Sequence, residues 1–232
     1  MTAGAAIVEI ERRALAEDPP IQILTLELED AFEFAAGQYL MVMHPDGTAI
    51  PLSIASPPEL LPRLSLHYRS TPGLTEAGRM DDLLRGKRLE LEGGAGDVKL
   101  DPADDAPLLL VAGGTGISQA LCLALAQTTR NPDTPVQMLA CADTEADLYF
   151  RDLLPSAVGF RAQLIADSNR DESNAGLEWL AANGPNVSDA TRVVLSGSPA
   201  FVYAATDTLI AAGLPETQLE SDVYSLSLIH IS

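Results

Sequence analysis

An apolar segment that runs directly into a group of glycines constrains the fold of this chain more than any other feature. Residues 108–112 are all apolar, Gly113, Gly114 and Gly116 follow, and a helical pattern begins beyond them. Glycine permits a positive φ and a close approach of backbone to a ligand, and the first turn of a helix offers unpaired N–H groups to an anion. The segment therefore predicts a strand, a phosphate-binding turn and a helix. Because about 100 residues of a different pattern come first, we expect the nucleotide-binding half to be the second of two.

The first half has the pattern of an antiparallel barrel or sandwich. Apolar and polar residues alternate over short runs, which is typical of strands with one buried face. Segments rich in proline and glycine separate these runs at short intervals. The predicted strands span residues 21–28, 39–43, 64–68 and 88–91, and a short helix over about 74–85 is predicted to cover one end of the sheet.

The second half alternates strands with helices, which predicts a parallel sheet with helices on both faces. The predicted strands are 108–112, 136–141, 162–166 and 192–196, and the predicted helices are 118–129, 148–154, 176–183 and 200–212. The acidic segment 101–107 contains two prolines, which neither a helix nor a central strand would accommodate. The predicted domains are therefore residues 1–102 and 103–225.

The last seven residues, 226–232, differ from the rest of the chain. They resemble a translated sequencing-library adapter, in which case the natural C-terminus is missing after about Ser225 and His230 has no function. A genuine apolar final strand is the alternative interpretation.

Composition excludes several classes of partner. The net charge of −19, from 33 acidic and 14 basic residues, argues against binding to nucleic acid or to an anionic membrane. There is no apolar run of the ~18 residues that a membrane span needs and no signal-peptide pattern, so we expect a cytoplasmic protein. Cys122 and Cys141 lack the paired spacing of a zinc or iron–sulfur site, so no metal is predicted.

The glycine-rich turn is a weak motif by itself. The dinucleotide fingerprint has a third glycine where this chain has Gln119, and tight packing of strand against helix would also explain the glycines. Asp143, at the end of the second strand of this half, is placed to bind a ribose diol and to repel a 2′-phosphate, which favours NADH over NADPH. It can also be read as an exposed turn residue. The fourth strand ends at Ser196, and the turn after it contains Gly197 and Pro199. This turn would face the same crevice, although a proline-stabilised helix start explains these residues equally.

Five short motifs occur in the order seen in one family. They are Gly37-Gln38-Tyr39, residues 51–56, residues 93–97, the turn at 112–116, and Gly197-Ser198-Pro199. On these motifs the chain, from about residue 5 to residue 225, resembles the ferredoxin-NADP reductase superfamily, and within it the small NAD(P)H-flavin reductases. The resemblance implies two domains: an N-terminal antiparallel β-barrel that binds flavin, and a C-terminal α/β domain, with a parallel sheet, that binds the nicotinamide nucleotide. Hydride would pass between the two cofactors.

The resemblance also implies roles for individual residues. Ser53 and Thr115 would act in catalysis, Ser53 by bonding the flavin near N5 and Thr115 by lying under the nicotinamide. Pro51, Leu52 and Ile54 would line the edge of the flavin. The other predicted cofactor-binding residues are Tyr39, Gly113, Gly114, Gly116, Asp143, Ser196, Gly197 and Pro199.

The chain departs from the family at Asp143, where related sequences often have an arginine that this chain lacks, and in the segment 50–53. Ile50 and Leu52 stand where family members commonly have an arginine and an aromatic residue, and their loss should weaken flavin binding by ~2 to 4 kcal/mol. We therefore expect a flavin reductase, in which FMN, FAD or riboflavin binds, is reduced by NADH or NADPH, and leaves. Two alternatives stay open: a reductase component that keeps its flavin and passes electrons to an oxygenase partner, and a non-catalytic nucleotide-binding module.

Overall fold

The structure, a computed structural model, describes residues 2–70, 73, 75–101, 103–168 and 174–225, together with the backbone of 226–229. It contains two sheets, one in each half of the chain. The first is antiparallel and has six strands: β1 (Thr2–Arg13), β2 (Ile21–Leu28), β3 (Tyr39–Met43), β4 (Ala49–Ser53), β5 (Arg63–Arg69) and β6 (Arg88–Ala95). Helix α1 (Thr75–Gly86) packs against β6.

The first sheet closes into a barrel. Its strand order is β4-β3-β6-β1-β2-β5, and an antiparallel bridge between Ile54 and Leu66 joins the region after β4 to β5 at the other edge. Alternate residues point inward to one apolar core, in which Leu24, Leu40 and Leu66 are fully buried. The expected antiparallel barrel is confirmed.

Strand β1 was not predicted, although it lies in the middle of the sheet between β2 and β6. Its inward positions carry the small residues Ala3 and Ala5, which give little apolar signal in the sequence. A register shift between Ile7 and Glu9 also interrupts the alternation of buried and exposed residues. Pairing on both sides, rather than local propensity, makes this segment a strand.

The second sheet is parallel, with the order β11-β10-β7-β8-β9. Its strands are β7 (Leu108–Gly113), β8 (Val136–Ala142), β9 (Phe160–Ala166), β10 (Arg192–Ser196) and β11 (Leu219–Glu220), and the helices are α2 (Ile117–Arg130), α3 (Ala175–Asn183), α4 (Pro199–Ala211) and α5 (Asp222–Ile229). Leu108 and Leu110 face the core that contains α2, whereas Leu109 and Val111 face the core that contains α3 and α4. The predicted parallel sheet with helices on both faces is confirmed.

The helix predicted over 148–154 is absent. Two short 3₁₀ turns, Glu145–Asp147 and Arg151–Leu153, take its place. Thr144 and Asp147 cap the first turn reciprocally, and Arg13 of the barrel binds the carbonyl of Tyr149 at 2.6 Å. Contacts with the other half of the chain therefore override the local helical pattern.

Two further predictions concern the final segment and the domain boundary. The backbone of 226–229 continues α5, so the final segment does not begin as a strand, and residues 230–232 lie outside the described residues. The predicted domain boundary falls in the connection between β6 and β7, next to Pro102, which is also outside them, and it stays a prediction. Among the described helices, none is long and apolar enough to cross a membrane.

Candidate functional site

The turn after β7 combines an open backbone with very close packing. Gly114 has a φ of +56°, and a Cβ placed on it would meet no atom within 4 Å, so its backbone is accessible to a ligand. Gly116 is different, because a Cβ there would lie 2.4 Å from the carbonyl carbon of Ser196. The Ser196 hydroxyl donates to the Gly116 carbonyl at 2.9 Å. The exposed Gly114 therefore fits a ligand-binding turn, whereas Gly116 is required for close packing.

The turn after β10 lies beside it. Gly197 has a φ of +144°, and the Ser198 hydroxyl caps α4 by accepting from the Phe201 N–H at 3.3 Å. Pro199 occupies the first position of α4, as in a proline-stabilised helix start. Because β7 and β10 are parallel neighbours, both turns lie at the carboxyl edge of the sheet, where open α/β sheets bind ligands.

A cavity of about 520 Å³ opens at this edge. The two turns contribute Gly113, Gly114, Thr115 and Ser198, and three carboxylates also line it, those of Asp143, Asp147 and Asp167. Arg69, from the end of barrel strand β5, is the one basic residue among the described lining residues. Its guanidinium is held by the carbonyls of Pro19 and Glu17 at 3.3 and 3.0 Å. We call this space the nucleotide cavity.

A second cavity of about 340 Å³ lies between the two halves and is called here the interdomain cavity. The barrel supplies Tyr39, Pro51 and Ser53, and the second half supplies the turns at 115–116 and 196–198 with Gln119 and residues 221–223. Thr115 and Ser198 line both cavities, so the two spaces adjoin at these residues.

Asp222 is the most heavily bonded group at the interdomain cavity. One carboxylate oxygen accepts from the N–H groups of Asp97 and Val98 at 2.8 and 3.1 Å, and the other accepts from Gln119 Nε2 at 2.8 Å. Burial raises the pKa of Asp222 above its ordinary value, although these donors act in the opposite direction. Burial also raises the pKa of Tyr39, and the carboxylates of Asp222 and Asp97 add to that effect.

A separate set of contacts joins the two halves on the side of the 3₁₀ turns. Arg13 of β1 donates to Asp152 at 2.5 and 3.0 Å, and Ala16 N donates to Asp147 at 3.1 Å. His67 Nδ1 lies 3.0 Å from the Tyr149 hydroxyl. These contacts connect the barrel to the second half in addition to the bonds that Asp222 makes with Asp97 and Val98.

No family model matches the chain, but individual proteins do. Reductase component 1 of terephthalate 1,2-dioxygenase from Comamonas sp. is 29% identical over 224 residues, covering 90% of this chain and 65% of that protein. The reductase subunit of an aromatic O-demethylase from Amycolatopsis sp. is 30% identical over 161 residues, covering 65% of this chain and 48% of that protein. The chain thus spans less than two thirds of the length of these relatives.

Solved structures share the fold over nearly the whole chain. The Amycolatopsis cytochrome P450 reductase GcoB matches with a TM-score of 0.79 and 25% identity, covering 96% of this chain and 69% of that one. The ferredoxin-NADP+ reductase of Plasmodium falciparum matches with a TM-score of 0.77 at 14% identity, covering 95% of each chain. The chain is thus similar to proteins of the ferredoxin-NADP reductase superfamily over most of its length, and the resemblance predicted from the motifs is confirmed.

Most of the site residues predicted from the superfamily motifs lie together. Tyr39, Pro51, Ser53, Thr115, Gly116, Ser196 and Gly197 line the interdomain cavity, and Gly113, Gly114, Thr115 and Asp143 line the nucleotide cavity. Three residues line neither: Leu52 packs against the barrel core, Ile54 is fully buried in it, and Pro199 is exposed at the start of α4. The roles assigned to all of these residues stay predictions.

Three residues that line these cavities were not predicted from the sequence. Arg69 ends a strand without any recognisable motif, Gln119 stands where the fingerprint has a glycine, and Asp222 belongs to none of the five motifs. Close to Asp222 in sequence, Tyr224 packs against α4, where its hydroxyl lies 2.6 Å from that of Thr206. The weak signal for Asp222 was its position directly after β11, at the carboxyl edge of the sheet.

Proposed function

We propose that this chain is an NADH-oxidising reductase that transfers hydride to a flavin held between its two halves and supplies electrons to an oxygenase. The observation that carries the proposal is that the two cavities share Thr115 and Ser198. Two ligands in these cavities would meet at the shared wall, and hydride transfer needs stacked, oriented reactants more than it needs acid–base side chains.

The nucleotide cavity suits a nicotinamide dinucleotide. The open backbone of Gly114 and the start of α2 offer N–H groups to a diphosphate, and Arg69 adds a positive charge. Asp143 lies where a ribose diol would bind. With Asp147 and Asp167 nearby, a 2′-phosphate would meet three carboxylates, which favours NADH over NADPH.

The interdomain cavity suits the ring of a flavin. Tyr39 and Ser53 are paired across β3 and β4, and both line the cavity. The hydroxyls of Ser53 and Thr115 make no hydrogen bond to any described residue, so both can bond a ligand. A flavin bound here would supply the redox chemistry by accepting the hydride. The barrel wall and residues 221–223 would orient the ring and keep water from it.

The names of the relatives support the oxygenase assignment. They are reductase components of a terephthalate dioxygenase and of an aromatic O-demethylase, and the chain corresponds to part of their length. One observation favours a second candidate, a flavin reductase that releases reduced flavin. Ile50 is buried in the barrel core and Leu52 packs against it, so neither position offers the charge or the aromatic face that would retain a flavin.

The colour and the kinetics of the purified chain separate these functions. Protein that stays yellow through gel filtration, and that reduces ferricyanide with NADH, would support the reductase of an oxygenase. Colourless protein that consumes NADH only when riboflavin, FMN or FAD is added would support the flavin reductase. Colourless protein that binds NADH and never oxidises it, with any flavin, would rule out both and leave a non-catalytic nucleotide-binding module.

A further inference from the structure

Gln119 is the one residue that departs from the dinucleotide fingerprint, and its side chain is almost fully buried, with 4% exposed. It lies in the first turn of α2, in the second half of the chain. Its Nε2 group donates two hydrogen bonds, at 2.6 Å to the carbonyl of Gly37 in the barrel and at 2.8 Å to Asp222. A glycine at this position could make neither bond.

One partner of Gln119, Gly37, lies on the barrel, and the other, Asp222, is bonded to the barrel. Gly37 has a φ of +101° and packs so tightly that a Cβ would lie 2.9 Å from the carbonyl oxygen of Val98. Asp222 comes from the second half, yet its other oxygen accepts from the N–H groups of Asp97 and Val98. Gly96 has to be glycine there, because a Cβ would lie 2.9 Å from the Asp222 carboxylate. The amide of Gln119 thus links the start of α2 to two adjacent segments of the barrel.

The same link forms part of the interdomain cavity, since Gln119 and Asp222 both line it. We propose that Gln119 is a positioning residue, which sets the separation of the two halves through Gly37 and Asp222 and so fixes the distance between the two ligands. The kinetic consequence rests on the proposed function, whereas the structural consequence does not. A displacement of about 1 Å between reacting groups can lower a rate ~100-fold.

The test replaces Gln119 with methionine, which has a similar length and no amide. In Gln119→Met, the Gly37 carbonyl and one Asp222 oxygen lose their donor. We expect flavin reduction at saturating NADH to slow by about 10- to 100-fold. The dissociation constant of NADH, followed by its fluorescence, should change by less than about threefold, because Gln119 does not line the nucleotide cavity.

Hydrogen exchange supplies a readout that needs no activity. The amides of Asp97 and Val98 should exchange at least about tenfold faster in Gln119→Met than in the wild-type chain, because their acceptor Asp222 is no longer held. Asp222→Asn is a second variant of nearly the same shape. It should give the same increase, because an amide nitrogen facing Gln119 Nε2 cannot accept its hydrogen bond.

The matched control is Gln127→Met, the same substitution two turns further along α2. Gln127 is also fully buried, but its Nε2 has no hydrogen-bond partner and it lines neither cavity. This control should leave both the rate and the exchange of Asp97 and Val98 near the wild-type values.

Three outcomes would each overturn the proposal: unchanged exchange in Gln119→Met, faster exchange without a slower rate, or equal effects of the two glutamine substitutions. A wild-type chain that fails to oxidise NADH would refute the proposed function only, and the exchange measurement would still decide the role of Gln119.

Discussion

Asp143 is the residue on which the choice between the two nicotinamide nucleotides depends. It directly follows β8 and lines the nucleotide cavity. Asp147, which lines the same cavity, accepts hydrogen bonds from Thr144 and from Ala16 N of the barrel. We predict that Asp143→Asn will raise the ratio of kcat/KM for NADPH to that for NADH by about tenfold, because one of the charges that repel a 2′-phosphate is gone.

Initial rates with each nucleotide measure this ratio. Asp133→Asn is the matched control, because it removes the same charge from an exposed turn outside the cavity. The control should leave the ratio within about twofold of wild type. An unchanged ratio in Asp143→Asn would mean that this carboxylate does not face the ribose.

Residues that line the two cavities differ in how readily they can be predicted from the sequence. Ser53 and Thr115 stand in short motifs with a fixed order, so they could be predicted. Gln119 and Asp222 have no such pattern, because what matters is a bond between residues 103 positions apart. Arg69 lines a cavity built almost entirely by the other half of the chain. No local pattern encodes a contact of this kind.

At the scale of elements, the two turns at the edge of the parallel sheet depend on each other. A Cβ at Gly116 would lie within 2.4 to 2.5 Å of the backbone of Ser196 and Gly197. We predict that Gly116→Ala will lower the free energy of unfolding by about 1–3 kcal/mol, because α2 and the turn after β10 must separate. Urea denaturation followed by circular dichroism measures the change.

Gly78→Ala is the control for this substitution. Gly78 lies inside α1, and a Cβ there would meet no atom within 4 Å. Because alanine favours a helix over glycine, this variant should gain about 0.5–1 kcal/mol. A free energy of unfolding of Gly116→Ala equal to that of the wild-type chain would contradict the close packing of the two turns.

Elements with a strong local pattern were predicted, and elements shaped by distant contacts were not. The strands β7, β8 and β10 are rich in apolar residues, because both faces of a parallel sheet are covered. Residues 148–154 have apolar spacing that suggests a helix, yet the N–H of Leu153 donates to Phe150 in a 3₁₀ turn, and the carbonyl of Tyr149 accepts from Arg13 of the barrel. Strand β1 shows the converse, since its neighbours on both sides impose the strand.

At the scale of the whole molecule, a buried histidine connects the two halves. His67 of the barrel contacts Tyr149 of the second half, and burial lowers the pKa of His67 to about 4, with the charge of Arg13 adding to the effect. Because the pKa is lower in the folded chain than the ordinary 6.5, the contribution to stability is complete above pH 6.5 and is lost as the pH falls towards 4. The difference between these two pKa values corresponds to about 3 kcal/mol of stability.

We predict that His67→Gln will lose less stability than the wild-type chain between pH 7 and pH 4.5, since glutamine does not titrate. Thermal unfolding at several pH values measures this. Tyr149→Phe removes the hydroxyl but keeps the histidine buried, so it should retain the wild-type pH dependence. Parallel pH profiles for His67→Gln and the wild type would show that His67 does not cause the loss.

The sequence by itself determined that this chain has two halves of different architecture and that a glycine-rich turn opens the second. Both follow from local patterning, because the alternation of apolar residues and the positions of glycine and proline act over a few neighbouring residues. Only the tertiary structure decided that Gln119 and Asp222 lie with Ser53 at the interdomain cavity and that Arg69 lies at the adjoining nucleotide cavity. These residues are brought together by the packing of one sheet against the other, and the energy of that packing depends on contacts between segments far apart in the chain.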